Sequence, residues 1–125
     1  MASNTVLLVA SEAKIALSPD KSLEDNLLAA MKSARNNWMA PSDDDALNGA
    51  VAGTMMFYGE GTPEYERLSR DFKMLKKVNA ALHAAMSGVP VDFSDLIDQE
   101  EQDNANEPIK FMNLWRKAEA EEPRY

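Results

Sequence analysis

The sequence contains no cysteine and a single histidine, His83. The lack of cysteine excludes disulfide bonds, thiolate nucleophiles and zinc sites built on sulfur. His83 has no Ser-His-Asp spacing around it, so a hydrolytic triad finds no support in the chain. We therefore predict that His83 is a packed or surface residue without a catalytic role.

Long apolar runs are also missing. The longest run near the amino terminus, residues 6–10, is far too short to cross a bilayer, and no basic residue precedes it as in a secretory signal. We expect no membrane partner and a cytoplasmic location, in the host cytoplasm or the virion if a phage encodes the chain. The 125 residues, 45% of them apolar, fit one folded domain over residues 1–120, with an acidic loop near 101–107 and a flexible tail at 121–125.

Charge is abundant but unevenly distributed. The net charge of −8 disfavours non-specific attraction of the whole surface to nucleic acid or anionic membrane. Residues 92–107 contain seven acids and no base, whereas residues 64–86 contain five bases and three acids. The five bases are Arg67, Arg70, Lys73, Lys76 and Lys77. We call these five residues the basic face. A positive cluster in a chain of net negative charge suggests a binding partner.

Helical spacing and capping signals predict six segments. The expected helices are about 5–17, from Ser22 to just before Pro41, 43–58, 63–86, about 92–102 and 108–120. Residues 5–9 are also compatible with a strand, an alternative that stays open. We predict an all-α fold, a single-domain helical bundle of five to six helices whose body is segments two to four.

Capping and small residues locate the helix ends and one close contact. Ser22 and Thr62 are predicted N-caps, and Pro63 takes the first helical position that proline prefers. The aspartates 43–45 favour a helix start through the helix dipole. Gly49 and Gly53 permit close approach of a neighbouring helix.

A heptad runs through the segment at 63–86. Leucine recurs every seven residues, and a 3.5-residue period keeps one seam facing a neighbour. The seam consists of Leu68, Phe72, Leu75, Asn79 and Leu82. Val78 and Ala85 widen the apolar stripe, which favours packing inside a bundle, and self-association through the seam remains the alternative.

The basic face has three interpretations. Arg67 and Arg70 can pair with Glu64 and Glu66 within the helix, which leaves the lysines as solvated residues. The lysines can instead meet the acidic segment 92–107 of the same or a neighbouring chain. In the third interpretation the five cations bind phosphate on nucleic acid or a nucleotide, which the net charge opposes.

The remaining motifs carry no predicted chemistry. An EF-hand counted from Asp43 would need glycine and glutamate where the chain has Asn48 and Thr54. The Gly-Glu-Gly-Thr-Pro stretch at 59–63 lacks the Lys-Ser/Thr ending of a phosphate-binding loop. We expect no catalytic residue, no metal and no cofactor.

Aromatic residues complete the functional interpretation. Trp38, Phe57, Tyr58, Phe72 and Trp115 have helical spacing and are predicted mostly as core, while any exposed member would mark a binding surface. The leading expectation is a non-catalytic protein–protein interaction module: an acidic regulator, adaptor or inhibitor, for which self-association through the seam stays an open alternative. Such compact acidic helical proteins are common among phage accessory proteins. The alternatives are nucleic-acid or nucleotide binding and a structural component of a virion or assembly.

Overall fold

A computed structural model describes residues 4–40, 42–88 and 109–121. Those ranges contain α1 (Asn4–Ile15), α2 (Leu23–Arg35), α3 (Asp43–Tyr58), α4 (Pro63–Met86) and α5 (Phe111–Glu121), and no strand. The all-α prediction is confirmed, and the strand alternative for residues 5–9 is wrong. The predicted helix at 92–102, the acidic loop at 101–107 and residues 122–125 lie outside the described residues.

The chain divides into two compact units. The first comprises Met1–Leu68 with Lys110–Tyr125, and the second comprises Ser69–Ile109. Helices α1, α2, α3 and α5 belong to the first unit together with the first six residues of α4. The body of this unit is therefore built on α1 to α3 with α5, rather than on the predicted segments two to four. The single-domain prediction stays a prediction.

The most extensive helix contact joins α1 to α3. Val9 and Ala10 of α1 are fully buried against the glycine face of α3. A Cβ atom on Gly53 would lie 2.6 Å from the Ala10 carbonyl oxygen, and one on Gly49 would lie 2.5 Å from Val9 Cγ1. Both distances are below any ordinary contact. The predicted close approach is confirmed, and its partner is α1.

Helix α2 packs against α3, α5 and α1 and supplies much of the core. Leu27, Met31 and Ala34, which have helical spacing, are fully buried. Trp38 is predicted as core in a helix that reaches almost to Pro41, but α2 ends at Arg35 and Trp38 is 89% exposed. The helix stops because amide side chains satisfy the backbone there instead: Asn36 Nδ2 donates to the Lys32 carbonyl oxygen at 3.1 Å.

Helix starts follow the predicted chemistry. The hydroxyls of Ser22, Ser42 and Thr62 accept the backbone N–H three residues ahead at 3.1, 3.2 and 3.2 Å. Before α4, Gly59 and Gly61 adopt positive φ angles of 85° and 88°, which favour glycine over residues with a Cβ atom. The turn and cap together place the first residue of α4 at Pro63, as the sequence predicted.

A buried asparagine fixes the chain before α2. The Asn26 side chain accepts the Ser18 N–H at 3.0 Å and donates to the Ser18 carbonyl oxygen at 2.9 Å. Its amide nitrogen also donates to the Tyr58 hydroxyl at the end of α3, at 2.9 Å. The amide thus satisfies both polar backbone groups of a turn residue and links that turn to two helices.

Candidate interaction surface

Large apolar side chains are exposed on α1 and just after α2. The exposed fractions are 54% for Leu8, 82% for Ile15 and 89% for Trp38. Single exposed apolar residues are ordinary on protein surfaces, and what carries information is a contiguous group.

Helix α1 is apolar on both faces. Val6, Val9 and Ala13 point into the core, while Leu8 and Ile15 are exposed. At 3.6 residues per turn, residues 8, 12 and 15 fall within an arc of about 60° on the outer side. Leu8, Glu12 and Ile15 therefore form one exposed stripe, apolar at both ends and acidic in between.

A hydrogen bond places the residue before Trp38 against this stripe. Asn37 Nδ2 donates to Glu12 Oε2 at 3.0 Å, across 25 positions of sequence. Asn37 is itself buried, and its Oδ1 accepts the Met39 N–H at 2.9 Å, so both ends of its amide are fixed. Because Trp38 follows Asn37 directly, its backbone lies one residue away from the contact with Glu12.

We call Leu8, Glu12, Ile15 and Trp38 the α1–Trp38 surface. A tryptophan alone presents roughly 150–250 Å². Leu8 and Ile15 add two exposed aliphatic side chains. The largest apolar patch on a typical monomer measures roughly 300–600 Å² and is often functional.

The basic face of α4 is partly paired with acids. Arg67 Nη1 lies 3.2 Å from Glu24 Oε1 of α2, and Arg70 Nε lies 3.2 Å from Asp71 Oδ1. Lys76 Nζ lies 5.1 Å from the centre of the Phe72 ring. Lys73 and Lys77 are exposed. The five predicted residues share a helix, but they do not form one uniformly exposed cationic strip.

The heptad seam opens to solvent along α4. Leu68 is fully buried, Phe72 and Leu75 are half-buried, and Asn79 is exposed. The side chain of Leu82 lies outside the described residues. Further along the helix Met86 is 87% exposed. Leu68 is thus already used as core of the first unit, whereas the later seam positions are more accessible.

The Asp71 side chain links α4 to Ile109 within the second unit. This carboxylate is buried, and its Oδ2 accepts the Ile109 N–H at 2.9 Å while its Oδ1 meets Arg70. Charge-assisted hydrogen bonds of this kind satisfy a buried carboxylate. Asp71, one of the acids that the sequence placed among the bases of α4, therefore has a structural explanation.

An open groove of about 610 Å³ runs along α2. It is lined by Ala16, Lys21, Asp25, Leu28, Ala29, Lys32, Ser33 and Asn36. Lys32 Nζ lies 2.9 Å from Glu121 Oε2. The hydrogen bond and the charge of Lys32 hold the pKa of the Glu121 carboxyl below its ordinary value.

Neither a cluster of metal-ligating side chains nor a membrane-spanning helix occurs among the described residues. In the ranges 4–40, 42–88 and 109–121, no group of three or more histidines, cysteines, aspartates or glutamates is placed to hold a metal ion. Among the helices of the same ranges, none combines the length and apolar character needed to span a membrane.

The α1–Trp38 surface was missed by sequence reasoning, although a signal for it was present. A helix with Leu7, Leu8 and Ile15 outside its buried stripe carries more apolar residues than one packed face can cover.

The chain matches no protein-family model, no curated protein and no solved structure.

Proposed function

We propose that this protein is a non-catalytic protein–protein interaction module, a small acidic regulator, adaptor or inhibitor. The observation that carries the proposal is the α1–Trp38 surface, where a tryptophan and two aliphatic side chains are exposed beside one fixed carboxylate. Tryptophan is enriched among the residues that dominate binding energy at protein interfaces.

The energetics favour a partner over solvent at this surface. Burying a large apolar side chain is worth about 1.5–3 kcal/mol relative to leaving it exposed. Ile15 and Trp38 are more than four-fifths exposed, so nearly all of that free energy is still available to a partner. The Asn37–Glu12 hydrogen bond fixes the loop backbone beside α1, which lowers the entropy cost of ordering it on binding.

The other candidate functions have weaker support. Arg67 and Arg70 already meet carboxylates, which reduces the phosphate footprint that nucleic-acid binding would require. Leu68 is not available for self-association through the α4 seam, because its side chain is fully buried in the first unit. No observation favours a virion component.

The test is affinity capture from a lysate of the source organism, with mass spectrometry as the readout. Wild type is compared with Trp38→Ser and with Met86→Ser, a matched control in which another highly exposed apolar side chain, 87% exposed, is removed from α4. We expect a partner that wild type and Met86→Ser retain and Trp38→Ser loses at least tenfold. Circular dichroism checks that all three chains are folded.

Identical sets of captured proteins from all three chains would count against the α1–Trp38 surface. Loss of the partner only in Met86→Ser would indicate that the binding site lies at the end of α4. Either outcome can be interpreted as an effect on binding, because the side chains of Trp38 and Met86 do not contribute to the core.

A further inference from the structure

The α1–Trp38 surface combines two groups that attract cations. The face of a tryptophan ring binds a Lys or Arg side chain best among the aromatic residues, and a carboxylate accepts charge-assisted hydrogen bonds from the same groups. Glu12 Oε2 accepts one hydrogen bond from Asn37. Because a carboxylate has about four acceptor positions, Glu12 retains room for a guanidinium or ammonium group.

No basic residue of α1 neutralises this carboxylate from within the helix. Lys14 is exposed, but residues two apart on a helix do not face each other. Lys14 lies on the far flank, roughly 160° around the helix from Glu12. The acidic character of the stripe is therefore presented to the partner.

Charge also bears on what covers the surface. A second copy placed across a twofold axis would pair this surface with itself, so that two Glu12 carboxylates would share one interface. Each copy carries a net charge of −8, so the two chains repel at low salt. A cationic partner meets the opposite situation, because both the local carboxylate and the overall charge attract it.

We infer that the α1–Trp38 surface binds a cationic, amphipathic segment of another protein, with Trp38 and Glu12 receiving a Lys or Arg side chain and Leu8 and Ile15 covering its aliphatic neighbours. This inference rests on the proposed function and specifies the chemistry of the partner. An amphipathic helix with a basic residue between two leucines has the matching pattern.

The probes are two synthetic helical peptides of equal length, one of leucine and arginine and the other of leucine and glutamate. Each is titrated into the full chain by calorimetry and by tryptophan fluorescence. We expect the arginine peptide to bind, with affinity that falls as salt rises. The emission of Trp38 should shift to shorter wavelength, because its ring is 89% exposed, whereas Trp115, 5% exposed, should contribute no shift.

Glu12→Gln separates local recognition from general acidity. This variant keeps the size of the side chain and removes one negative charge, so the arginine peptide should bind about fivefold more weakly, as expected for an exposed ion pair. Glu60→Gln is the matched control, because it removes one exposed negative charge in the turn before α4. That control should leave the affinity within twofold of wild type.

Three results would overturn the inference. Equal affinities of Glu12→Gln and Glu60→Gln would mean that only overall charge attracts the peptide. Equal binding of the glutamate peptide would remove the cation preference but would leave the proposed function standing. A concentration-dependent dimer in sedimentation, lost in Ile15→Asp, would identify a second copy as the occupant.

Discussion

Replacing Gly53 with alanine has two opposite effects on the free energy of unfolding. Helix propensity favours alanine, whereas helix packing favours glycine. Gly53 lies inside α3, where alanine stabilises a helix by about 1 kcal/mol relative to glycine. The added Cβ atom would lie 2.6 Å from the carbonyl oxygen of Ala10. That oxygen belongs to the backbone of α1, so it cannot move aside as the end of a side chain could.

The packing effect should prevail. Overpacking a core costs about 1–3 kcal/mol, and we place this substitution near 3 because relief requires the two helices to separate. Subtracting the propensity gain of about 1 kcal/mol leaves a net loss of about 2 kcal/mol. For a chain of this length that loss lowers Tm by about 8 °C.

Gly49→Ala provides the comparison. Its added Cβ atom would meet Val9 Cγ1 at 2.5 Å and Val9 Cβ at 2.9 Å, so part of the obstruction is removable. In a Val9→Ala background the cost of Gly49→Ala should fall by about 1 kcal/mol, a coupling that a double-mutant cycle detects. The cost of Gly53→Ala should stay the same in that background, because its obstruction is backbone.

Urea unfolding followed by circular dichroism gives the four free energies of unfolding that each cycle needs. A Gly53→Ala chain that is as stable as wild type, or more stable by the propensity gain, would refute the reasoning. It would mean that α1 and α3 do not approach as closely as the glycines indicate.

Two further predictions concern polar contacts of the first unit. Asn26→Ala should destabilise the fold by about 2–3 kcal/mol in urea unfolding, because the Ser18 N–H and carbonyl oxygen and the Tyr58 hydroxyl lose their shared partner; unchanged stability would contradict this. The pKa of Glu121 is lowered from 4.5 by its hydrogen bond to Lys32, so its contribution to stability is present above that value and is lost as pH falls through the lower, folded pKa. An NMR titration should find this pKa moved back up in Lys32→Met, and an unmoved value would argue against the ion pair.

Local signals predicted the helices well. The first residue of α4 follows from a threonine cap, a proline at the first position and glycines in the preceding turn, all within a few residues of each other. Trp38 was misassigned because its spacing continues the stripe of α2, whereas Asn36 and Asn37 form side-chain hydrogen bonds that end the helix earlier. Periodicity cannot detect such competition.

Contacts between distant residues were beyond the sequence. The glycines of α3 predicted a close neighbour, but nothing local identifies α1 as that neighbour. Arg67 has Glu64 within reach on its own helix by sequence spacing, and in the structure it meets Glu24, 43 positions away. The Asn37–Glu12 hydrogen bond, which places the residue before Trp38 against α1, has the same long-range character. The candidate surface therefore emerged only in three dimensions.

The acid excess and the exposed apolar surface are best understood together. A surface that presents Trp38 and Ile15 would promote contact between copies in an uncharged protein. The net charge of −8 opposes that contact at low salt and favours the approach of a cationic partner. Raising salt should therefore change the two associations in opposite directions. It should weaken binding of the cationic peptide, and it should favour contact between copies because their repulsion is screened. The sign of the salt dependence at this one surface distinguishes a cationic partner from a second copy.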